Sequence, residues 1–134
     1  MGGMLRLAVL GHPIAHSLSP AMHAWALSAL GLRGTYEALD TPPEALPERL
    51  QEVRRGYRGV NLTVPLKERA LPLLDWVSPE ARAIGAVNTV LSAEGHLLGF
   101  NTDAPGFLMA LEAGGFPLRG PALVLGAGGA GRAV

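Results

Sequence analysis

The chain has 134 residues, of which 49% are hydrophobic and 16% charged. That is enough apolar material for one packed core and too little charge for a disordered chain. Eleven Lys plus Arg balance eleven Asp plus Glu, and there is no cysteine. No net field therefore favours nucleic acid or an anionic membrane, and disulfides, zinc thiolates and thiol nucleophiles are all excluded.

What remains to be found is a small-molecule site. Nothing points to an oxidising compartment, so the reducing cytoplasm is the expected location. Residues 1–10 lack the basic flank and long apolar stretch of a signal peptide, and no later run reaches the about 18 apolar residues of a membrane span. Ten of the eleven basic residues are arginine, and Lys67 is the only lysine. Base composition or adaptation to heat accounts for the arginines and leaves the lysine unexplained. Arginine stays protonated, whereas a lysine amine can exchange protons when its surroundings tune it.

In chain order, 5–10 is an apolar run ending at Gly11, as expected for a buried strand entering a loop. Ser19 followed by Pro20 reads as an N-cap and first helical residue. Met22, Trp25, Ala26, Ala29 and Leu30 form a helical stripe that stops at Gly31. Residues 36–39 make a second strand, and a helix runs from Thr41 through Leu46, Leu50 and Val53 to Gly56. A third strand covers 59–64, where Val60, Leu62 and Val64 share one face and Asn61 and Thr63 the other. Pro65, without an N–H to donate, ends it.

Residues 67–74 and 78–84 read as short helices. Strands at 87–91 and 97–100 are joined through Ala93, Glu94 and Gly95 as a hairpin. Thr102 or Asp103 caps a helix to about Ala113, closed by Gly114 and Gly115. Residues 122–125 form an apolar strand that enters GAGGAG. The expected class is α/β, with a mixed, mainly parallel sheet flanked by helices. Gly126, Gly128 and Gly131 fit G-x-G-x-x-G after a strand and at a helix start, as in the first turn of a Rossmann domain. A complete βαβ unit needs about 30 residues, so only its opening is expected here. Tight strand-to-helix turns also choose glycine for packing alone.

HSLSP, NLTVPLK, GAVNT and GFNTD combine small polar side chains with turn formers at the ends of predicted strands, where ligands bind in open α/β sheets. Together, in order and over nearly the whole chain, they and the GAGGA turn resemble the shikimate dehydrogenase family. The resemblance implies an N-terminal substrate domain over 1–102, a linker helix over 103–115 and the start of an NADP-binding Rossmann domain over 116–134. It implies reversible NADPH-dependent reduction of 3-dehydroshikimate to shikimate. By the same resemblance Ser17 and Ser19 hold the substrate carboxylate. Asn61, Thr63, Asn88 and Asp103 bind ring hydroxyls and the carbonyl edge, and Lys67, oriented by Asp103, is the acid and base. The turn of Gly126, Ala127, Gly128, Gly129, Ala130 and Gly131 receives the cofactor.

The residues support parts of this independently. Asn61 and Thr63 on one strand face need polar partners, which a polyol supplies, although a solvated sheet face would also satisfy them. Carbonyl reduction leaves negative charge on oxygen, and a positioned ammonium both stabilises that charge and delivers a proton. Ser19 also suits an ordinary cap, Asn88 a turn, and Asp103 the cap of its helix.

His12 and His16 are four apart with Pro13 between them, which argues against a helical metal pair, and no metal is expected. Ser17, His16 and Asp103 lack the elbow of a hydrolase. Trp25 and Trp76 read as core residues, since no basic stripe accompanies them. The expected partners are a small polyol acid and a dinucleotide, with a homodimer compatible and neither nucleic acid nor membrane involved. The rival readings are a dehydrogenase of the same plan acting on quinate, and a binding module without catalysis, for which a tunable amine has no use.

Overall fold

The first strand is apolar on both faces past Arg6, whereas the third alternates, with Val60 and Leu62 on the packed side and Asn61 on the other. The computed structural model describes residues 3–134. Its strands are β1 (Leu5–Gly11), β2 (Gly34–Asp40), β3 (Gly59–Leu62), β4 (Trp76–Val77), β5 (Thr89–Ala93) and β6 (His96–Phe100). They form one sheet in the order β2-β1-β3-β5-β6-β4. β1 pairs in parallel with β2 and β3, and β4 with β6, while β5 is antiparallel to β3 and β6. The sheet is mixed and mainly parallel, as expected. Glu94 and Gly95, at φ 51° and 78°, supply the two left-handed residues of a tight hairpin between β5 and β6.

Ala8 and Leu10 of β1, Val60 and Leu62 of β3 and Val90 of β5 face Leu46, Leu50 and Val53 of α2 (Leu46–Gly56). Those three lie at i, i+4 and i+7, one stripe of a helix. Leu10, Leu46, Leu50 and Leu62 are all at most 2% exposed, and each contributes about 1.5–3 kcal/mol relative to exposure. The short α3 (Pro79–Ile84) closes this layer. It is capped by Ser78, whose side chain accepts from the Ala81 amide, and stopped by Gly85 at φ 77°, a Ser-Pro start and a glycine stop that follow ordinary helix-end chemistry.

The other sheet face carries Leu7, Val9, Asn61 and Thr89 and is only partly covered, by α1 (Ser19–Ala29). Here the expectations fail in part. Trp25 and Leu30 point outward, 73% and 72% exposed, and Met22, 59% exposed, stands at the rim of a polar cleft and not in the core. Ser19, Pro20, His23, Ala26 and Leu27 instead form the inner row. The helix lies against edge strand β2, so only a narrow stripe meets the sheet, and that stripe includes a histidine because it borders a polar cleft. Trp76 is likewise 46% exposed, so neither tryptophan is a core residue.

Other elements differ too, among them β5, which begins at Thr89 and not at 87. β3 ends at Leu62 rather than at 64, and Val64 is 71% exposed. Residues 67–74 are turns with a single 3-10 turn at Leu71–Leu73, because Pro72 has no N–H for the Glu68 carbonyl and interrupts a helical ladder. The chain then forms β4, which the sequence did not suggest. Residues 122–125 are not a strand, since no neighbouring strand is present to pair with them. The glycine run does enter a helix, α5 (Gly129–Ala133), which packs against α3 and α4 (Asp103–Ala113). No helix among the described residues is long and apolar enough to cross a membrane.

Candidate active site

Two cavities meet at Lys67. A polar cleft of about 350 Å³ lies on the sheet face beside the end of β3, and Ser19, Asn61, Thr63, Lys67, Asn88 and Asp103 all line it. A second cavity, of about 380 Å³, lies between the segment Val64 to Arg69 and Gly128, Gly129 and Ala130, and Lys67 lines that one too. The Lys67 side chain is so close to the turn that a Cβ on Gly129 would stand 3.6 Å from its Cβ.

Each wall has a local cause. Asn61 is the polar residue between buried Val60 and Leu62, so alternation aims it at the cleft. Thr63 lies beyond the strand but keeps the same side, its amide bonded to the Leu10 carbonyl at 2.9 Å. The Leu66 amide bonds the Thr63 carbonyl at 2.9 Å, a turn that brings Lys67 back to the rim. Lys67 Nζ donates to Asp103 Oδ2 at 2.8 Å. Asp103 stands in the first turn of α4, where the helix dipole favours a carboxylate.

That helix is not capped by a Thr102 or Asp103 side chain. Buried Asn101 accepts the Asp103 amide at 2.9 Å and donates to the Ala86 carbonyl at 3.0 Å. The start of α1 is similar: Ser19 is its first residue and its side chain does not cap it, whereas Ser17 Oγ accepts the Ser19 amide at 3.2 Å. Ser17 thus serves the helix and does not line the cleft, whereas Ser19 does.

Asn88, 9% exposed, is the hub. Its Oδ1 accepts from the Thr102 amide at 2.9 Å and from the Thr89 hydroxyl at 3.0 Å. Its Nδ2 donates to Thr102 Oγ1 at 2.8 Å and Asp103 Oδ1 at 3.0 Å. All four capacities of this carboxamide are engaged. Asn61 Nδ2 lies 3.2 Å from both the Asn88 carbonyl and Thr89 Oγ1, and the Tyr36 hydroxyl donates to Asn61 Oδ1 at 2.8 Å. Burial pushes the Tyr36 hydroxyl up to about 12, while a hydrogen bond with the Ser19 side chain opposes the rise. His23 stacks on Tyr36 at 4.2 Å between ring centroids. Its Nδ1 lies 2.9 Å from the Ser19 carbonyl, which can only accept, so Nδ1 carries the proton.

Sequence reading missed Tyr36, His23, Thr89 and Asn101. Thr89 and Asn101 stood within quoted motifs, beside residues that were chosen. His23, which lines the cleft, and Tyr36, which reaches it through Asn61, join the site only once the inner face of α1 and the β1–β2 register are known. His12 pairs with Asp40, Nδ1 to Oδ1 at 3.0 Å, rather than with His16. Among the described residues no group of three or more His, Asp or Glu is placed to hold a metal ion.

The glycine turn fits a dinucleotide phosphate. Gly126 sits at φ 121°, a Cβ on Gly131 would stand 2.5 Å from the Gly126 carbonyl oxygen, and a Cβ at Gly126 or Gly128 would meet nothing within 4 Å. The turn is closed on itself and open on its outer side, so its backbone is accessible to a ligand.

The model of the shikimate dehydrogenase substrate binding domain matches residues 9–90. An NADP(+) shikimate dehydrogenase of Thermus thermophilus is 79% identical over 131 residues, covering 98% of this chain and 50% of that protein. That of Symbiobacterium thermophilum is 51% identical over 130 residues, covering 96% of this chain and 44% of its own length. The crystal structure of a Thermus thermophilus shikimate dehydrogenase in complex with NADP(H) and shikimate superposes with a TM-score of 0.96 at 79% identity, over 98% of this chain and 50% of that one. The chain thus spans about half the length of the relatives it matches, and by sequence and structure it belongs to the shikimate dehydrogenase substrate-binding domain family.

Proposed function

We propose that residues 1–134 are the substrate-holding part of a cytoplasmic NADP-dependent shikimate dehydrogenase, which interconverts 3-dehydroshikimate and shikimate. Residues 1–102 form the substrate domain, 103–115 the linking helix and 116–134 the start of the nucleotide domain. The observation that carries this is the position of Lys67, which lines the polar cleft and also the cavity beside the glycine turn, and bonds Asp103 at 2.8 Å.

In this reading Ser19, with Ser17 behind it, receives the substrate carboxylate through hydroxyl donors near a helix start, where the dipole part is worth about 0.3–1 kcal/mol. Asn61 and Thr63 take ring hydroxyls from the sheet face. Asn88 takes a ring hydroxyl from its Nδ2 edge by exchanging one of its bonds to Thr102 or Asp103. Gly126 to Gly131 would hold the cofactor pyrophosphate, and the bound nicotinamide supplies the hydride. In reduction, the Lys67 ammonium stabilises the charge developing on the carbonyl oxygen and gives it a proton; in oxidation, the neutral amine takes the hydroxyl proton. Asp103 holds the amine in place and binds the neighbouring hydroxyl.

The test is to assay the completed two-domain enzyme, in which these residues are continued by a nucleotide domain like that of the Thermus thermophilus relative. Shikimate oxidation with NADP, faster than quinate oxidation, is expected. Residues 1–134 alone are expected to show none, for want of most of the cofactor site. Absence of shikimate turnover in the completed enzyme would refute the reading.

A further inference from the structure

The hydrogen bonds of the cleft can run in only one direction. The Thr102 backbone N–H can only donate, so the Asn88 atom it meets at 2.9 Å is the carbonyl oxygen. The Thr89 hydroxyl, 3.0 Å from that same oxygen, must then donate to it. Its lone pairs are left for Asn61, whose Nδ2 lies 3.2 Å away. The Asn88 main-chain carbonyl, also 3.2 Å from that nitrogen, accepts only and fixes the same orientation of Asn61. Asn61 Oδ1 therefore accepts from Tyr36, as the distance of 2.8 Å allows. One ordered line results, from Tyr36 to Asn61, Thr89, Asn88 and the Asp103 carboxylate, which Lys67 approaches from its other oxygen.

Thr89 is the link that joins the two carboxamides side chain to side chain. β3 and β5 pair Asn61 with Thr89 directly across the antiparallel ladder, so sheet register places the hydroxyl between them. Among the described residues no buried side-chain polar atom lacks a partner, and networks that are fully satisfied hold their members in one orientation.

We propose that Thr89 is a positioning residue: its hydroxyl accepts from Asn61 and donates to Asn88, and so ties the two carboxamides together in the orientations that the Asn88 carbonyl and the Thr102 amide also favour. This rests on the reading of the cleft as a polyol-acid site. Removing the hydroxyl takes one hydrogen bond from each amide, leaves each held by its remaining partners alone, and loosens the Asn88 hold on Asp103.

The test compares Thr89→Val, which keeps the shape and removes the hydroxyl, with Thr89→Ser, which keeps the hydroxyl. In the completed enzyme, Thr89→Val is expected to lower kcat/KM for shikimate by about tenfold or more, the scale of one lost hydrogen bond. The KM for NADP stays unchanged, and Thr89→Ser restores most of the loss. A separate readout needs no turnover. In 15N NMR spectra of the 134-residue chain, the side-chain amide protons of Asn61 and Asn88 exchange faster in Thr89→Val and not in Thr89→Ser. The proposal is overturned if Thr89→Val leaves both amides as they were, or if the serine variant behaves like the valine one. An enzyme without shikimate activity whose amides still respond in this way would refute the functional reading and leave the positioning role standing.

Discussion

Lys67 Nζ and Asp103 Oδ2 stand 2.8 Å apart across a sequence separation of 36 residues. Their side chains are 19% and 34% exposed. A pair so placed contributes about 1 kcal/mol or less to stability, and its importance lies in where it holds the amine. Asp103→Asn in the completed enzyme should therefore reduce kcat/KM for shikimate by about ten- to a hundredfold, the scale of a lost charged hydrogen bond. Thermal unfolding should shift by only a few degrees, about what 1 kcal/mol produces. A large loss of stability with activity retained would make Asp103 a structural residue.

The glycine turn makes a prediction of the opposite kind. A Cβ on Gly131 would stand 2.5 Å from the Gly126 carbonyl oxygen, which is backbone and cannot move aside. Gly131→Ala should open the turn and raise the KM for NADP by about tenfold or more, with the KM for shikimate little changed. Equal effects on both constants would argue against separate substrate and cofactor walls.

Asp75 and Tyr36 contribute to the pH dependence of stability, and Tyr57, raised by burial and by Glu37, adds to the alkaline side. Asp75 is held below the usual carboxylate range, chiefly by the Leu97 amide and then by Arg54. The native state favours its ionised form, so its contribution is full above the ordinary value and is lost as pH falls through the lowered one. Tyr36 is raised to about 12. The native state there favours the protonated phenol, whose contribution is full below the ordinary value of 10.0 and fades as pH climbs to about 12. Denaturation curves against pH should show Asp75→Asn flattening the acid limb and Tyr36→Phe flattening the alkaline limb. Unchanged limbs would contradict these assignments.

The sequence revealed the fold class because β1 is a continuous apolar run, β3 alternates, and Ser78 and Gly85 delimit α3 by simple local rules. It misjudged α1, because Met22 and Trp25 look like core while the helix buries the row of His23, Ala26 and Leu27 against an edge strand. Local patterns do not tell which face meets the sheet. Pro72 interrupts the segment after Lys67, where apolar spacing alone suggests a helix. The site was legible as residue types near strand ends, and six of its seven substrate-side candidates line one cleft. The parts that were not legible act through other residues. Thr89 matters only once its cross-strand partner is known, Asn101 only once the Asp103 amide is seen to need a cap, and Tyr36 only after β2 is set beside β1.

Lys67 is the group assigned to exchange the proton of the reacting hydroxyl, and every other role in the cleft is arranged around it. The most direct measurement is kcat for shikimate oxidation by the completed enzyme carrying Lys67→Ala, at saturating shikimate and NADP. General acid–base assistance is worth about 10²–10⁴-fold, and a fall of that size is the predicted result. A kcat equal to that of the parent enzyme would contradict this role and assign the proton transfer to another group.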